Sequence, residues 1–233
     1  MKISVMQPYF MPYIGYFQLI KYSDIFIVYD NIKYTKKGWI NRNRMLCQGH
    51  EKIFSIPLVK DSDSLEIRDR YISENYSRSK LLNQFHESYK KAPYYNFCTP
   101  LLEKIIDYKD DNLFNYILHS IKEISNHLGI ESKIIKSSDV LIDHSLRSHE
   151  KVIALCKKMD GSDYINPIGG VDLYEKRVFN ESNLNLHFLK SNSSIRYKQF
   201  NSNYIPWLSI IDMLMFTSPE EVDQILKEEY SLL

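Results

Sequence analysis

The sequence predicts an α/β protein built on a doubly wound, mostly parallel sheet, with a helical insertion and a helical C-terminal tail. Three observations predict it. Short apolar runs alternate with stretches of helical periodicity at the start of the chain and again after residue 130. The interval between the first two runs, Met6 to Asp24, has room for the right-handed crossover that parallel strands require. Between the two alternating blocks lie three consecutive amphipathic stretches with no strand among them.

The elements follow in order. Residues 2–6 read as a buried strand, 7–13 as an aromatic loop stiffened by Pro8 and Pro12, 14–21 as a helix and 24–29 as a second strand. Residues 31–49 mix Tyr34, Trp39, Lys36, Lys37, Arg42 and Arg44 with asparagines, too polar for a core element and too aromatic for a disordered linker. Residues 53–59 read as a strand with Pro57 near its edge, and 65–72 as a weaker, exposed one. Helices follow at 78–91, ending before Ala92-Pro93, then after a Thr99 cap, then at 112–128 with Gly129 as terminator. Strand and helix then alternate: strand 132–137, helix 148–159, strand 163–165, helix 171–180, strand 184–189. The tail holds an apolar helix over 206–216 and the capping-box start Ser218-Pro219-Glu220-Glu221. This describes one α/β domain over 1–233, with 31–75 a β and loop excursion and 76–130 a helical insertion or lid.

Composition narrows the function. Thirty basic and twenty-nine acidic side chains leave no whole-molecule field to attract DNA or anionic lipid. No secretory-type layout stands at the N-terminus and no apolar run approaches the roughly eighteen residues of a membrane span, so a cytoplasmic protein is expected. Cys47, Cys98 and Cys156 have neither paired nor metal-type spacing, and the seven histidines form no ligand set, so no metal site is expected. Eighteen tyrosines suit a cleft that packs rings and hydrogen-bonds sugars or nucleotides, or reflect a coding bias shared with Asn, Lys and Ile.

Candidate site residues cluster after the predicted parallel strands, at the edge where open sheets bind ligands. They are Gln7, Tyr9 and Tyr13 with Gly15, then Asp30 and Asn31, then Ser137 to Asp139, then Asn166, Gly169 and Gly170 with Tyr174. The glycine pair reads either as close backbone approach to an anion at a helix start or as a tight turn needing positive φ. Asp30 is a lone carboxylate after an apolar strand, placed to act as general base, to anchor a sugar hydroxyl or amine, or simply to make a turn with Asn31. Trp39, Asn41, Arg42 and Asn43 suit the grip of a diphosphate beside a stacked ring, or a solvated loop anchored by one tryptophan. Asp212, inside an apolar helix, is expected to pair with Arg or Lys.

Gln7-Pro8-Tyr9-Phe10 with Pro12, Gly15-Tyr16-Phe17, the 24–30 strand, Gly38-Trp39-Ile40-Asn41-Arg42-Asn43, Tyr164-Ile165-Asn166 with Gly169-Gly170, and Pro206-Trp207-Leu208-Ser209-Ile210-Ile211-Asp212 together resemble the WbqC-like protein family, in order, over residues 3 to about 221. The first strand, loop and helix also resemble the opening of Rossmann-like, nucleotidyltransferase-like folds, without the paired histidines of nucleotidyl transfer. The family resemblance implies a role in bacterial surface-polysaccharide (O-antigen, lipopolysaccharide) biosynthesis: a transferase placing an acyl or aminoacyl group, such as glycyl, on the amine of a nucleotide-linked amino sugar. ATP with magnesium or an activated acyl donor would then be the co-reactant. The alternatives are an adenylating or nucleotidyl-transferring enzyme of the same pathway and a non-catalytic nucleotide-sugar-binding protein.

Overall fold

The computed structural model describes residues 1–200 and 203–233. Its central sheet has six strands in the order β5-β2-β1-β6-β7-β8: β1 (Lys2–Met6), β2 (Ile25–Val28), β5 (Lys133–Lys136), β6 (Asp163–Pro167), β7 (Asn185–Ser191) and β8 (Tyr230–Leu232). The first five are parallel and β8 runs antiparallel to β7. Strand residues alternate between two apolar layers, as the period of two requires. Ile25 and Ile27 enter the layer under α5 (Ser148–Lys158) and α6 (Lys176–Asn180), while Phe26 and Val28 enter the one under α1 (Ile14–Tyr22). Helices therefore cover both faces, which is why β2 is buried at every position.

The larger layer continues outward without a break. It runs through Met45, Leu46 and Phe54 of a two-stranded hairpin, β3 (Arg42–Cys47) and β4 (His50–Ser55). It also takes in the helices α2 (Arg78–Tyr89), α3 (Tyr95–Ile106) and α4 (Leu113–His127), then α7 (Ile210–Phe216) and α8 (Pro219–Glu228). Ser218 caps α8 with the reciprocal bonds of a capping box, and Gly129 takes the positive φ (61°) that ends α4, both as the sequence predicts.

Several elements differ from the sequence reading. The strand expected at 53–59 lies at His50–Ser55, and its partner β3 falls inside the stretch read as polar loop. The turn joining them, Gln48-Gly49, has positive φ at both residues, a hairpin geometry usually signalled by Asn-Gly. The weak strand at 65–72 is a short 3-10 turn, Ile67–Asp69, flanked by isolated bridges. Thr99 is not a cap: α3 begins four residues earlier, Thr99 donates back to Tyr95 O at 2.8 Å, and Cys98 Sγ meets Leu214 O of α7. Tertiary packing there outweighs the Thr-Pro start signal. The helix at 171–180 is a 3-10 turn, Ile168–Leu173, broken at Tyr174 before α6. The helix expected from residue 206 starts only at Ile210, because Trp207 adopts φ 60° and Ser209 caps the segment. Strand β8 carries no sequence signal beyond three residues and exists through its pairing with β7.

Asp212 is the clearest correction. It is fully buried and meets no cation among the described residues; Tyr89 Oη, Tyr197 Oη and Gln199 Nε2 donate to it at 2.8, 2.7 and 2.8 Å. Burial pushes its carboxyl above the usual range, and the three donors act against that shift.

Candidate functional site

Five strands pointing the same way bring their carboxyl-end loops to one rim: Ser137 after β5, Asp30 after β2, Gln7 after β1, Asn166 on β6 and Ser191 on β7. Asp30 and Asn166 belong to the strands either side of β1. The strand order reverses between β1 and β6, the place where an open α/β sheet forms its ligand crevice. Pairing of these two strands covers only Lys2 with Asp163 and Ile3 with Tyr164, at their amino ends.

Beside the loop that follows β1 lies a cleft of about 290 Å3, open to solvent and lined by Tyr9, Pro12, Tyr13, Trp39, Asn43, Arg44 and Trp207. The chain has two tryptophans, and both lie here, 41% and 47% exposed. Large rings left half in water on one concave wall are the composition of a ligand platform. Tyr13 meets Trp207 edge to face at 5.6 Å, while the Arg44 and Arg42 guanidiniums lie 5.3 and 5.8 Å from the Trp39 ring. Burial raises the phenol pKa of Tyr9 and Tyr13, so both remain hydroxyl donors at neutral pH.

The floor of the cleft is held by a hydrogen-bond network. Asn43 Nδ2 donates to Phe10 O and Met11 O, Ser209 Oγ donates to Met11 O, and Arg44 Nη2 donates to Trp207 O. Met11 and Trp207 both have positive φ, 46° and 60°, which costs an L-residue about 1 kcal/mol or more each. The network over-determines these two strained residues and so fixes where Trp207 and the Pro12-Tyr13 segment stand.

Asp30 lies in a second cluster along the same rim. It is 3% exposed; Ser137 Oγ and the Ser138 amide donate to Oδ1 at 2.8 and 2.9 Å, and Ser138 Oγ donates to Oδ2 at 2.5 Å. Burial alone would raise its pKa, but these hydrogen bonds win and hold the carboxyl below the usual range. Asn31 Nδ2 donates to His144 Nδ1 at 2.8 Å, and Lys151 Nζ donates to Asn31 O at 3.2 Å. Lys151 is itself buried, which lowers its pKa.

Asn166 anchors a third group. Tyr164 Oη donates to its Oδ1 at 3.1 Å, while its buried Nδ2 has no partner among the described residues. A Cβ on Gly170 would collide with that Nδ2, whereas a Cβ on Gly169 would meet nothing. Neither glycine has positive φ, so the turn alternative falls. The expected helix start is a 3-10 turn too short to offer an anion a helix N-terminus. Tyr174 packs edge to face on Tyr164 and Phe179.

The remaining sequence candidates serve the framework. Gly15 lets the Tyr13 ring fold onto the first turn of α1, where a Cβ would lie 2.5 Å from it. Asn41 accepts from Tyr34 Oη and donates to Ile56 O. Arg42 commits Nε and Nη2 to Gly38 O and Lys37 O, closing that turn, and the arginine on the cleft wall is Arg44. Gln7 touches the cleft through Tyr9, whose hydroxyl donates to Gln7 Oε1 at 3.3 Å. Sequence reasoning missed Arg44, Trp207 and Lys151, while Ser138 lies in the Ser137 to Asp139 cluster that it singled out; the strain at Trp207 leaves no local signature, but its place before the Ser209 cap was a usable signal. Among the described residues no three His, Cys, Asp or Glu side chains group as a metal site, and no helix is long and apolar enough to cross a membrane.

A relative in Mycobacterium tuberculosis, titled "Uncharacterized protein Rv1507c", is 25% identical over 224 residues, 95% of this chain and 96% of its own. No solved structure matches at a significant level. The family model of the WbqC-like proteins matches residues 7–224, from the loop after β1 to within α8, and the chain belongs to the WbqC-like protein family.

Proposed function

We propose that the protein is a transferase of bacterial surface-polysaccharide biosynthesis that places an acyl or aminoacyl group, such as glycyl, on the amine of a nucleotide-linked amino sugar. The observation that carries this reading is the cleft beside the loop after β1, where both tryptophans, Tyr9 and Tyr13 come together. Apolar faces of a sugar or base stack on such rings, and Asn43 and Arg44 supply polar contacts beside them. In the reaction the sugar amine forms a bond to the acyl carbon, the bond from that carbon to its carrier breaks, and the amine gives up a proton. Asp30 is the carboxylate at the rim, and Ser138, half-buried and hydrogen bonded to it, is the hydroxyl that would pass the proton toward it.

A second reading, a non-catalytic nucleotide-sugar-binding protein, is favoured by the state of Asp30. A carboxylate held below its usual pKa by three hydrogen bonds is a weak base and a good structural anchor. One experiment separates the two: the purified protein is incubated with nucleotide amino sugars and acyl thioesters, amino acids plus ATP, or charged transfer RNA, and product mass is read. The transferase reading expects a mass gain on the sugar that is lost in Trp39→Ala and Trp207→Ala. Binding without any mass gain across all donors removes it and leaves the binding protein.

A further inference from the structure

The hairpin of β3 and β4 is completed along one edge only. Its pairs alternate between hydrogen-bonded and open, and Ile56 N, which donates to Asn41 O at 2.8 Å, fixes the phase, so Arg44 and Leu46 turn backbone groups away from β4. Both are taken: Ser209 N donates to Arg44 O at 2.9 Å, and Leu46 N donates to Tyr89 Oη at 2.8 Å. On β4 the matching groups are the amides and carbonyls of Glu51, Ile53 and Ser55, and none of them has a partner among the described residues. All three residues are exposed, Ile53 by 57%. A row of unpaired strand groups is a template for another strand. Helix α2 runs alongside. Two open grooves of about 540 and 270 Å3 lie between the hairpin and α2, and Lys80 and Gln84 line both, so the grooves run together as one trough. Its end near the hairpin turn holds Lys52 and Lys80, which are exposed and form no ion pair among the described residues, while Glu87 there is held by Lys90 at 2.8 Å. Its other end has Ile53, Pro57 and Leu81 in its wall.

We infer that the β4 edge is the docking site of an extended acidic segment from a partner protein, which adds to β4 as a third strand and lies in the trough against α2. The backbone groups of Glu51, Ile53 and Ser55 offer main-chain hydrogen bonds, and the trough takes side chains at every second position of the added strand. Charge selects the occupant, because Lys52 and Lys80 lack a carboxylate and an acidic segment supplies it. A second copy pairing through the same edge brings its own Lys52 and Lys80 to the contact, where like charge opposes it. The aromatic cleft shares no residue with the trough, so the two sites stand or fall separately.

The test is fluorescence anisotropy of a short labelled peptide of alternating valine and glutamate, titrated with the full-length protein, with Lys80→Glu and with Ile53→Pro. A matching peptide of valine and lysine is the control. Lys80 is exposed on α2, so Lys80→Glu should keep the native melting temperature. Ile53→Pro deletes an outward N–H and leaves the bonds to β3 in place, since proline is accepted on an edge strand. The expected result is salt-sensitive binding of the acidic peptide alone, weakened about tenfold in Lys80→Glu and lost in Ile53→Pro. Hydrogen exchange at the amides of Glu51, Ile53 and Ser55 should slow when the peptide is bound, a readout in the native chain that holds even if the proline variant fails to fold. No binding of the acidic peptide, equal binding of the lysine peptide, binding indifferent to Lys80→Glu, or unchanged exchange at the three amides overturns the site. Dimers in sedimentation that disappear in Ile53→Pro would give the edge to a second copy and overturn it as well.

Discussion

Asp30 and Gly170 show how single residues acquire meaning from what surrounds them. Asp30 reads in the sequence as a free acid after a strand; in the fold it is the acceptor that fastens β2 to the turn after β5 through Ser137 and Ser138. Its pKa lies below 3.8 in the folded state, so the stability it contributes is present above that value and is lost as pH falls through the lower, folded one. Asp30→Asn should therefore be less stable than the native chain at pH 7, and the gap should close as pH falls below about 3.8, read by thermal melts across that range. A gap that stays constant with pH would show that the carboxyl is not the titrating group. Gly170 is glycine because Asn166 needs the space, a reason that appears only once β6 and the 3-10 turn after it are folded together.

At the scale of elements, local signals succeed where a helix end or a half-buried face makes its own case. The Ser218-Pro219-Glu220-Glu221 start of α8 does so through both bonds of its capping box. Ser218→Ala removes the acceptor for the Glu221 amide and should cost about 1 kcal/mol, lowering the melting temperature by about 2–4 °C. Elements whose ends are set by neighbours behave differently. Helix α7 is shorter than its apolar run because Arg44 and Ser209 hold Trp207 and Met11 in strained conformations that a regular helix from residue 206 would not permit. Strand β3 hides in a polar stretch because only Asn43, Met45 and Leu46 face inward, and Asn43 is there to bind backbone rather than to pack.

For the whole molecule, one buried carboxylate joins three separate parts. Leu46 N of the hairpin donates to Tyr89 Oη of α2, Tyr89 donates to Asp212 of α7, and Asp212 also holds Tyr197 and Gln199 of the segment after β7. Asp212→Ala would leave the Tyr89 and Tyr197 hydroxyls without their acceptor and Gln199 Nε2 with Ile205 O alone, at about 3–5 kcal/mol, and should lower the melting temperature by about 10 °C. Loss on the scale of an exposed substitution would mean that the donors find other partners. The aromatic cleft adjoins this junction, since Arg44, next but one to Leu46 on β3, lines it.

The sequence by itself determined the parallel sheet, its helical covering and the placement of Gln7, Asp30 and Asn166 at strand ends, because apolar period and strand-to-helix alternation are local properties that burial on two faces must leave in the chain. The family was legible through separate motif blocks, from Gln7-Pro8-Tyr9-Phe10 to Pro206–Asp212, that stand in order along the chain. Only the tertiary structure decided which of those rim residues meet. It put Tyr9, Tyr13, Trp39 and Asn43 on one cleft with Arg44 and Trp207, and set Asp30 and Asn166 in clusters of their own. It also turned Arg42 and Asn41 inward to the backbone. The physical reason is that a hydrogen bond or a ring contact depends on where two distant segments stand. Bonds such as Arg44 to Trp207, 163 residues apart, have no spacing that a sequence can display.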